Sequence, residues 1–263
     1  MYELKLGKSV KGLISDFYEQ ITKAKELGFE SIDVVLCECG YEGTDEQIEE
    51  LKKRIVFLKT MGLRFNNVHL PYGADWDISV LEEEKRKSVL KNVKTAVDWI
   101  EPLAPYCYVI HGSSGPIMDD ERALRLIQLE KSVRELQKYT NTPMAVENMP
   151  RTGILNTSAE MTEFANRMEK VDFCLDVNHF LRELPEDAIL QIGDKVITTH
   201  ISDHNFVDER HWLPGKGKID WQKVIKALES VDYKGVFNYE VGQDVTLEEI
   251  KKNFDLLFKE YNL

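Results

Sequence analysis

Residues 198–221 read TTHISDHNFVDERHWLPGKGKIDW, and this stretch decides how the rest of the chain is read. The run from Lys195 to Thr199 has the β-branched content of a strand, and His200 stands at its C-terminal end. Asp203, His204, Asp208, Glu209, Arg210 and His211 then crowd one loop, closed by Pro214-Gly215-Lys216-Gly217. A solvated polar turn is the bland reading. Against it, the pattern recurs in NVHLPYG at 67–73, VIHGSSG at 109–115, AVENMP at 145–150, CLDVNH at 174–179 and NYEVG at 238–242. Each carries an apolar run into a His, Asp or Glu. A site gathered from many strand ends points to a barrel mouth.

Working outward, strands and helices alternate from end to end. Tyr2–Leu6 reads as a strand, and Leu13–Leu27 has helical spacing stopped by Gly28. Strands follow at Ser31–Cys37, Leu63–His69, Tyr106–His111, Pro143–Asn148, Val171–Asp176 and Val236–Glu240. Capping patterns at Thr44/Gln47, Ser79/Glu82, Thr157/Glu160 and Thr246/Glu249 open helices, as do Asp119 or Asp120 and Asp220; a weaker helix covers Pro185–Ile192. Eight such units with no break in composition predict one α/β domain over residues 1–263, a single (β/α)8 TIM barrel. A doubly wound open sheet competes, but Gly7-Lys8-Ser9 is too thin for its glycine-rich phosphate loop.

Size and charge agree with a barrel enzyme. The 263 residues suit a fold that typically needs about 250. With 43% hydrophobic residues the chain can bury a full core. A net charge of −12 leaves no global basic footprint, so nucleic acid is not an expected partner. Cys37, Cys39, Cys107 and Cys174 lie in or beside apolar runs and read as free thiols; the one-residue gap of Cys37-Glu-Cys39 does not fit a zinc ribbon. No apolar run suits a signal peptide or a membrane span, so a cytoplasmic protein without membrane partners is expected.

Strand parity sorts the mouth. Glu147 shares its face with Ala145, Asp176 with Cys174, His111 with Val109 and Cys107, and Glu240 with Asn238 and Val236, while Phe237 and Tyr239 face the helices. Three carboxylates, Glu147, Asp176 and Glu240, cannot share a dry mouth unless protons or a cation neutralise them. With the imidazole of His200 they form a mixed oxygen–nitrogen set suited to a divalent ion: Mn, Zn or Co, with Mg also compatible.

These strand ends, with DVNH and ERHWLPGKGKIDW, resemble the xylose isomerase-like TIM-barrel superfamily over essentially the whole chain. That group includes ketose 3-epimerases, sugar-phosphate isomerases and the AP endonuclease (endonuclease IV) family. From the epimerases, the resemblance implies that Glu147, Asp176, His200 and Glu240 hold metal and that His179 and Arg210 contact substrate. From the endonucleases, it implies a larger zinc set adding His69, His111, His179 and His211, with Glu209 where those relatives carry Asp. His69 and His111 stay open between metal, substrate and a plain core role.

The expected chemistry is a metal-dependent isomerase or epimerase acting on a ketose or sugar phosphate. Glu147 and Glu240 would move the proton next to a metal-bound carbonyl through an enediolate. A zinc phosphodiesterase of the endonuclease kind and a keto-polyol dehydratase are the alternatives. Weaker candidates are Tyr72, Trp76 and Trp212 for packing on a sugar face, and Ser113–Gly115, Lys216 and Lys218 for an anion. Substrate, metal identity and number, and homo-oligomer formation stay open.

Overall fold

The computed structural model describes residues 2–37 and 41–262. Among them, eight parallel strands alternate with eight helices: β1 (Lys5–Lys11), α1 (Phe17–Glu26), β2 (Ser31–Val35), α2 (Asp45–Thr60), β3 (Arg64–His69), α3 (Glu83–Ile100), β4 (Cys107–His111) and α4 (Asp119–Tyr139). The second half runs β5 (Met144–Glu147), α5 (Ser158–Arg167), β6 (Asp172–Asp176), α6 (Pro185–Ile192), β7 (Val196–His200), α7 (Trp221–Ser230), β8 (Val236–Tyr239) and α8 (Leu247–Tyr261). The sheet order is β7-β6-β5-β4-β3-β2-β1-β8. A parallel bridge between Ile201 and Tyr239 closes the last gap, so the strands form a (β/α)8 barrel.

Side-chain alternation gives the barrel two cores. Between sheet and helices lie Tyr108, Ile110, Val146, Phe173, Phe237 and Tyr239, all buried. Inside the barrel, Cys107, Val109, Ala145 and Cys174 form a separate small cluster, which bears out the parity read from the sequence. A polar layer completes the interior. Asn66 and Asn67 donate side-chain amides to Asp33, and Asn66 also reaches Thr198 across the barrel. Burying such groups is tolerable because they satisfy one another.

Several boundaries differ from expectation. β1 runs on to Lys11 rather than stopping at Leu6, and α1 starts at Phe17 rather than Leu13. Gly7 reads locally as a strand breaker, but it lies inside the barrel, where an added Cβ would come within 2.4 Å of Val236 Cγ1. Thr44, Thr157 and Asp220 cap their helices as expected, and Thr246 and Glu249 form the full reciprocal box. Ser79 does not cap α3. Its hydroxyl and amide are turned to Asp77, and the helix starts at Glu83 without a side-chain cap. Cys107 and Cys174 are free thiols, and both they and Cys37 are buried, whereas Cys39 lies outside the described residues. No helix among the described residues is long and apolar enough to cross a membrane.

Candidate active site at the barrel mouth

Register brings the acidic and imidazole groups together. His111 pairs with Glu147 across β4 and β5, and Asp176 pairs with His200 across β6 and β7. Neighbouring strands are only about 4.8 Å apart, so paired inward side chains meet at one height. Glu240 follows β8 directly, and its amide donates to Ile201 O at 3.1 Å, which pins it beside His200. One donor atom from each of Glu147, Asp176, His200 and Glu240 lies within 4.8 Å of the others. Donors held at roughly 2.0–2.3 Å around one ion span at most ~4.6 Å, so shifts of a few tenths of an ångström suffice.

The local contacts leave ligand atoms free. Asp176 Oδ1 accepts the Asn178 amide at 2.7 Å, but Asp176 Oδ2 is buried without a hydrogen-bond partner. The Asn148 side chain clamps the ends of β5 and β6, accepting from Asp176 N at 2.8 Å and donating to Asp176 O at 3.0 Å. His200 Nδ1 lies 2.9 Å from Glu147 Oε1 and 2.8 Å from Glu240 Oε2. The other Glu147 oxygen is 3.1 Å from His69 Nε2 and 3.3 Å from His111 Nε2. A buried carboxylate oxygen without a hydrogen bond, beside two carboxylates and an imidazole, belongs to a donor set that fits a divalent cation.

Electrostatics follow from this crowding. Burial works to raise the Glu147 and Glu240 carboxyls, but for both the opposing pull, led by His200, outweighs it and holds them below the usual range. Burial pushes Asp176 up, aided by the negative charges of Glu147 and Glu240 and opposed by His179. For His200, burial favours the neutral ring, yet Cys174, Glu240 and Glu147 together raise it well above a normal histidine. His179 behaves likewise: burial lowers it, and Asp176 and Glu209 lift it to about 10. In His111 burial wins and the pKa falls. The raised His200 and His179 imidazoles thus favour positive charge beside the crowded carboxylates.

Around this cluster opens a cavity of about 990 Å³, whose wall includes Tyr72, Ser113, His179, Glu209, His211 and Gln243. Tyr72 stacks on His111 with ring centroids 4.6 Å apart. His179 donates from Nδ1 to Asn148 O at 2.7 Å, so its Nε2 faces Asp176 Oδ2 at 3.3 Å and Glu209 Oε2 at 3.4 Å. His211 donates from Nδ1 to Glu240 O at 3.1 Å. Arg210 is not brought to the cavity; it is exposed, with its guanidinium 5.8 Å from the Trp212 ring. Trp76, Trp212, Lys216 and Lys218 also lie off the cavity wall, while Ser113, Ser114 and Gly115 line it.

The long loop after β7 owes its shape to residues that carry no direct chemistry. Asp203 is fully buried and accepts from the amides of His204, Gly215 and Ile219 and from Trp221 Nε1. Gly217 passes so close that a Cβ there would sit 2.2 Å from Asp203 Oδ1. His204 serves the backbone too, its Nδ1 accepting from Phe206 N at 2.9 Å. The residue that the sequence reading missed is Asp33. It is fully buried beneath the mouth, with Oδ2 3.9 Å from His200 Nε2, and burial pushes its carboxyl up to about 7.

Residues 21–259 match the family described as xylose isomerase-like TIM barrel. The chain belongs to that family. Within it, a D-psicose 3-epimerase of Enterocloster bolteae is 25% identical over 248 residues, covering 86% of this chain and 76% of the relative. A mannonate dehydratase of Oceanobacillus iheyensis is 21% identical over 278 residues, covering 96% and 72%. The crystal structure of a D-tagatose 3-epimerase-like protein superposes with a TM-score of 0.80 over 98% of both chains at 19% identity, a likeness of fold. Sugar 3-epimerases are thus among both the relatives and the structural neighbours of this xylose isomerase-like barrel.

Proposed function

We propose that the protein is a divalent-metal-dependent isomerase or epimerase that moves a proton on the carbon next to the carbonyl of a ketose or sugar phosphate. The observation that carries this reading is the convergence of Glu147, Asp176, His200 and Glu240, with Asp176 Oδ2 buried, without a hydrogen bond and faced by His179 Nε2 at 3.3 Å. These four residues would hold the ion, with Mn, Co, Zn and Mg all compatible with the donor set. When bound, it supplies Lewis-acid stabilisation for negative charge developing on a substrate oxygen.

The protein's own residues divide the remaining work. Glu147 and Glu240 reach the cluster from β5 and from the end of β8, with β6 and β7 between them. A substrate carbon lodged over the cluster has a carboxylate on each side. Both are kept ionised, so either starts as a base; one removes the substrate proton, and the other takes a proton from solvent and returns it to the carbon, the first releasing its own to solvent afterwards. His179, fixed by Asn148, and the cavity-lining Tyr72, Ser113 and Gln243 offer hydrogen bonds to hydroxyl groups. Deuterium wash-in from heavy water, screened over ketoses and their phosphates, tests the reading. Exchange at the carbon next to the carbonyl supports it, and its absence across the panel with metal-loaded protein counts against it.

A second reading rests on His69 and His111, whose Nε2 atoms converge on Glu147 Oε2. Two or three zinc ions per chain would favour phosphodiester hydrolysis. The net charge of −12 weighs against a nucleic-acid substrate. A dehydratase reading shares the same enolisation and has the mannonate dehydratase relative in its support. Wash-in without product release as an isomer would favour it.

A further inference from the structure

We infer that Asp33 is a positioning residue that turns the Nε2–H of His200 toward itself and thereby leaves His200 Nδ1 as the metal-facing nitrogen. The inference rests on the metal-site reading above. Asp33 lies in the middle of β2, in register with Ser9 of β1, and takes no part in the cavity wall. It is therefore not a ligand and not a substrate contact, and a buried carboxylate in that place needs a reason.

The reason lies in how its oxygens are held. β3 carries one extra residue relative to β2, because Ile32 pairs with Phe65 while Val34 pairs with Val68. That irregularity falls at Asn66-Asn67, and both side-chain amides turn to the same carboxylate: Asn66 Nδ2 donates to Oδ1 at 2.9 Å and Asn67 Nδ2 to Oδ2. Asp33 is thus fixed with Oδ2 3.9 Å from His200 Nε2. No other carboxylate among the described residues approaches that nitrogen within 4 Å, and Nε2 is buried without a hydrogen-bond partner. On the opposite edge of the ring, Nδ1 faces Glu147 and Glu240.

A neutral imidazole carries one N–H and one lone pair, and its surroundings choose which nitrogen has which. At 3.9 Å the contact with Asp33 is electrostatic rather than a hydrogen bond. In a site shut off from water, a carboxylate at that distance still favours the tautomer whose N–H points to it. Cys174, the other polar group against the ring, carries a thiol whose pKa burial raises, and the sulfur of a neutral thiol is a weak acceptor. Replacing Asp33 by Asn keeps the shape but removes the charge and sets an amide donor where an acceptor stood.

The test is a Co²⁺ titration of wild type and Asp33→Asn, followed by the visible absorption of the bound ion, together with long-range proton–nitrogen spectra of Zn²⁺-loaded wild type. Loss of an outer carboxylate partner typically weakens metal affinity about 10–100-fold. The expected result is a drop of that size in D33N, measured below the metal-free melting transition of each protein, with wild-type His200 protonated on Nε2 and metallated on Nδ1. Equal Co²⁺ affinity in the two proteins, or metal on Nε2, overturns the inference while leaving the metal site standing. If D33N does not fold, the wild-type spectrum decides alone. No Co²⁺ bound by wild type overturns both the inference and the reading beneath it.

Discussion

His200 Nδ1 lies 2.8 Å from Glu240 Oε2, joining the ends of β7 and β8 where the barrel closes. The same nitrogen meets Glu147, so one imidazole stands between a fully buried acid and a partly exposed one at the rim. Removing it by His200→Ala takes away the one imidazole the two carboxylates share and leaves Glu147 only its contacts with His69 and His111. Breaking a buried pair from one side costs about 3–5 kcal/mol. Chemical denaturation of the metal-free protein should show a loss of that order.

Glu147→Gln should keep the fold but stop turnover, since one of the two proton carriers is gone. General acid–base groups contribute about 10²–10⁴-fold, which sets the expected fall in kcat on any ketose that the parent converts. Near-parental activity would assign the proton to another group.

The Glu209–His179 pair predicts a stability window in the metal-free protein. Its hydrogen bond to His179 draws Glu209 down to about 2, against an ordinary 4.5. That contribution is present above the unfolded value and is lost as pH falls toward 2. His179 is raised to about 10, so its contribution is full below 6.5 and fades as pH rises through 10. The pair therefore helps most between about 4.5 and 6.5, and Glu209→Gln should flatten the acid limb of a plot of stability against pH and only part of the alkaline limb, which Asp176 chiefly sets.

Asp203→Ala should free the loop after β7. Four donors lose their acceptor at once, and each donor left buried and unpaired costs about 1–3 kcal/mol. Limited proteolysis should then cut within 205–218, where the parent resists, and cavity residues Glu209 and His211 should lose their fixed positions.

Much of this site was legible because a barrel maps strand ends to one rim. His69, His111, Glu147, Asp176, His200 and Glu240 announce themselves by ending apolar runs, and alternation placed Cys107, Val109, Ala145 and Cys174 inside. Asp33 was hidden because it sits mid-strand among β-branched residues, with its partners on a bulge that breaks alternation at Asn66-Asn67. Arg210 stands exposed and off the cavity wall, in a loop that passes through left-handed conformations at Phe206 (φ 59°) and His211 (φ 50°), a path that residue spacing does not give. Ser79 carried a capping pattern, but Asp77 two residues earlier competed for its hydroxyl and amide.

Calorimetric titration of metal-free protein with Mn²⁺, repeated on Asp176→Asn, tests the central claim most directly. The account predicts one ion per chain for the parent and a large loss of affinity for the variant, because Asp176 supplies one of the four converging donors and its Oδ2 is buried without a hydrogen bond. No binding by the parent, or binding untouched by D176N, would contradict it.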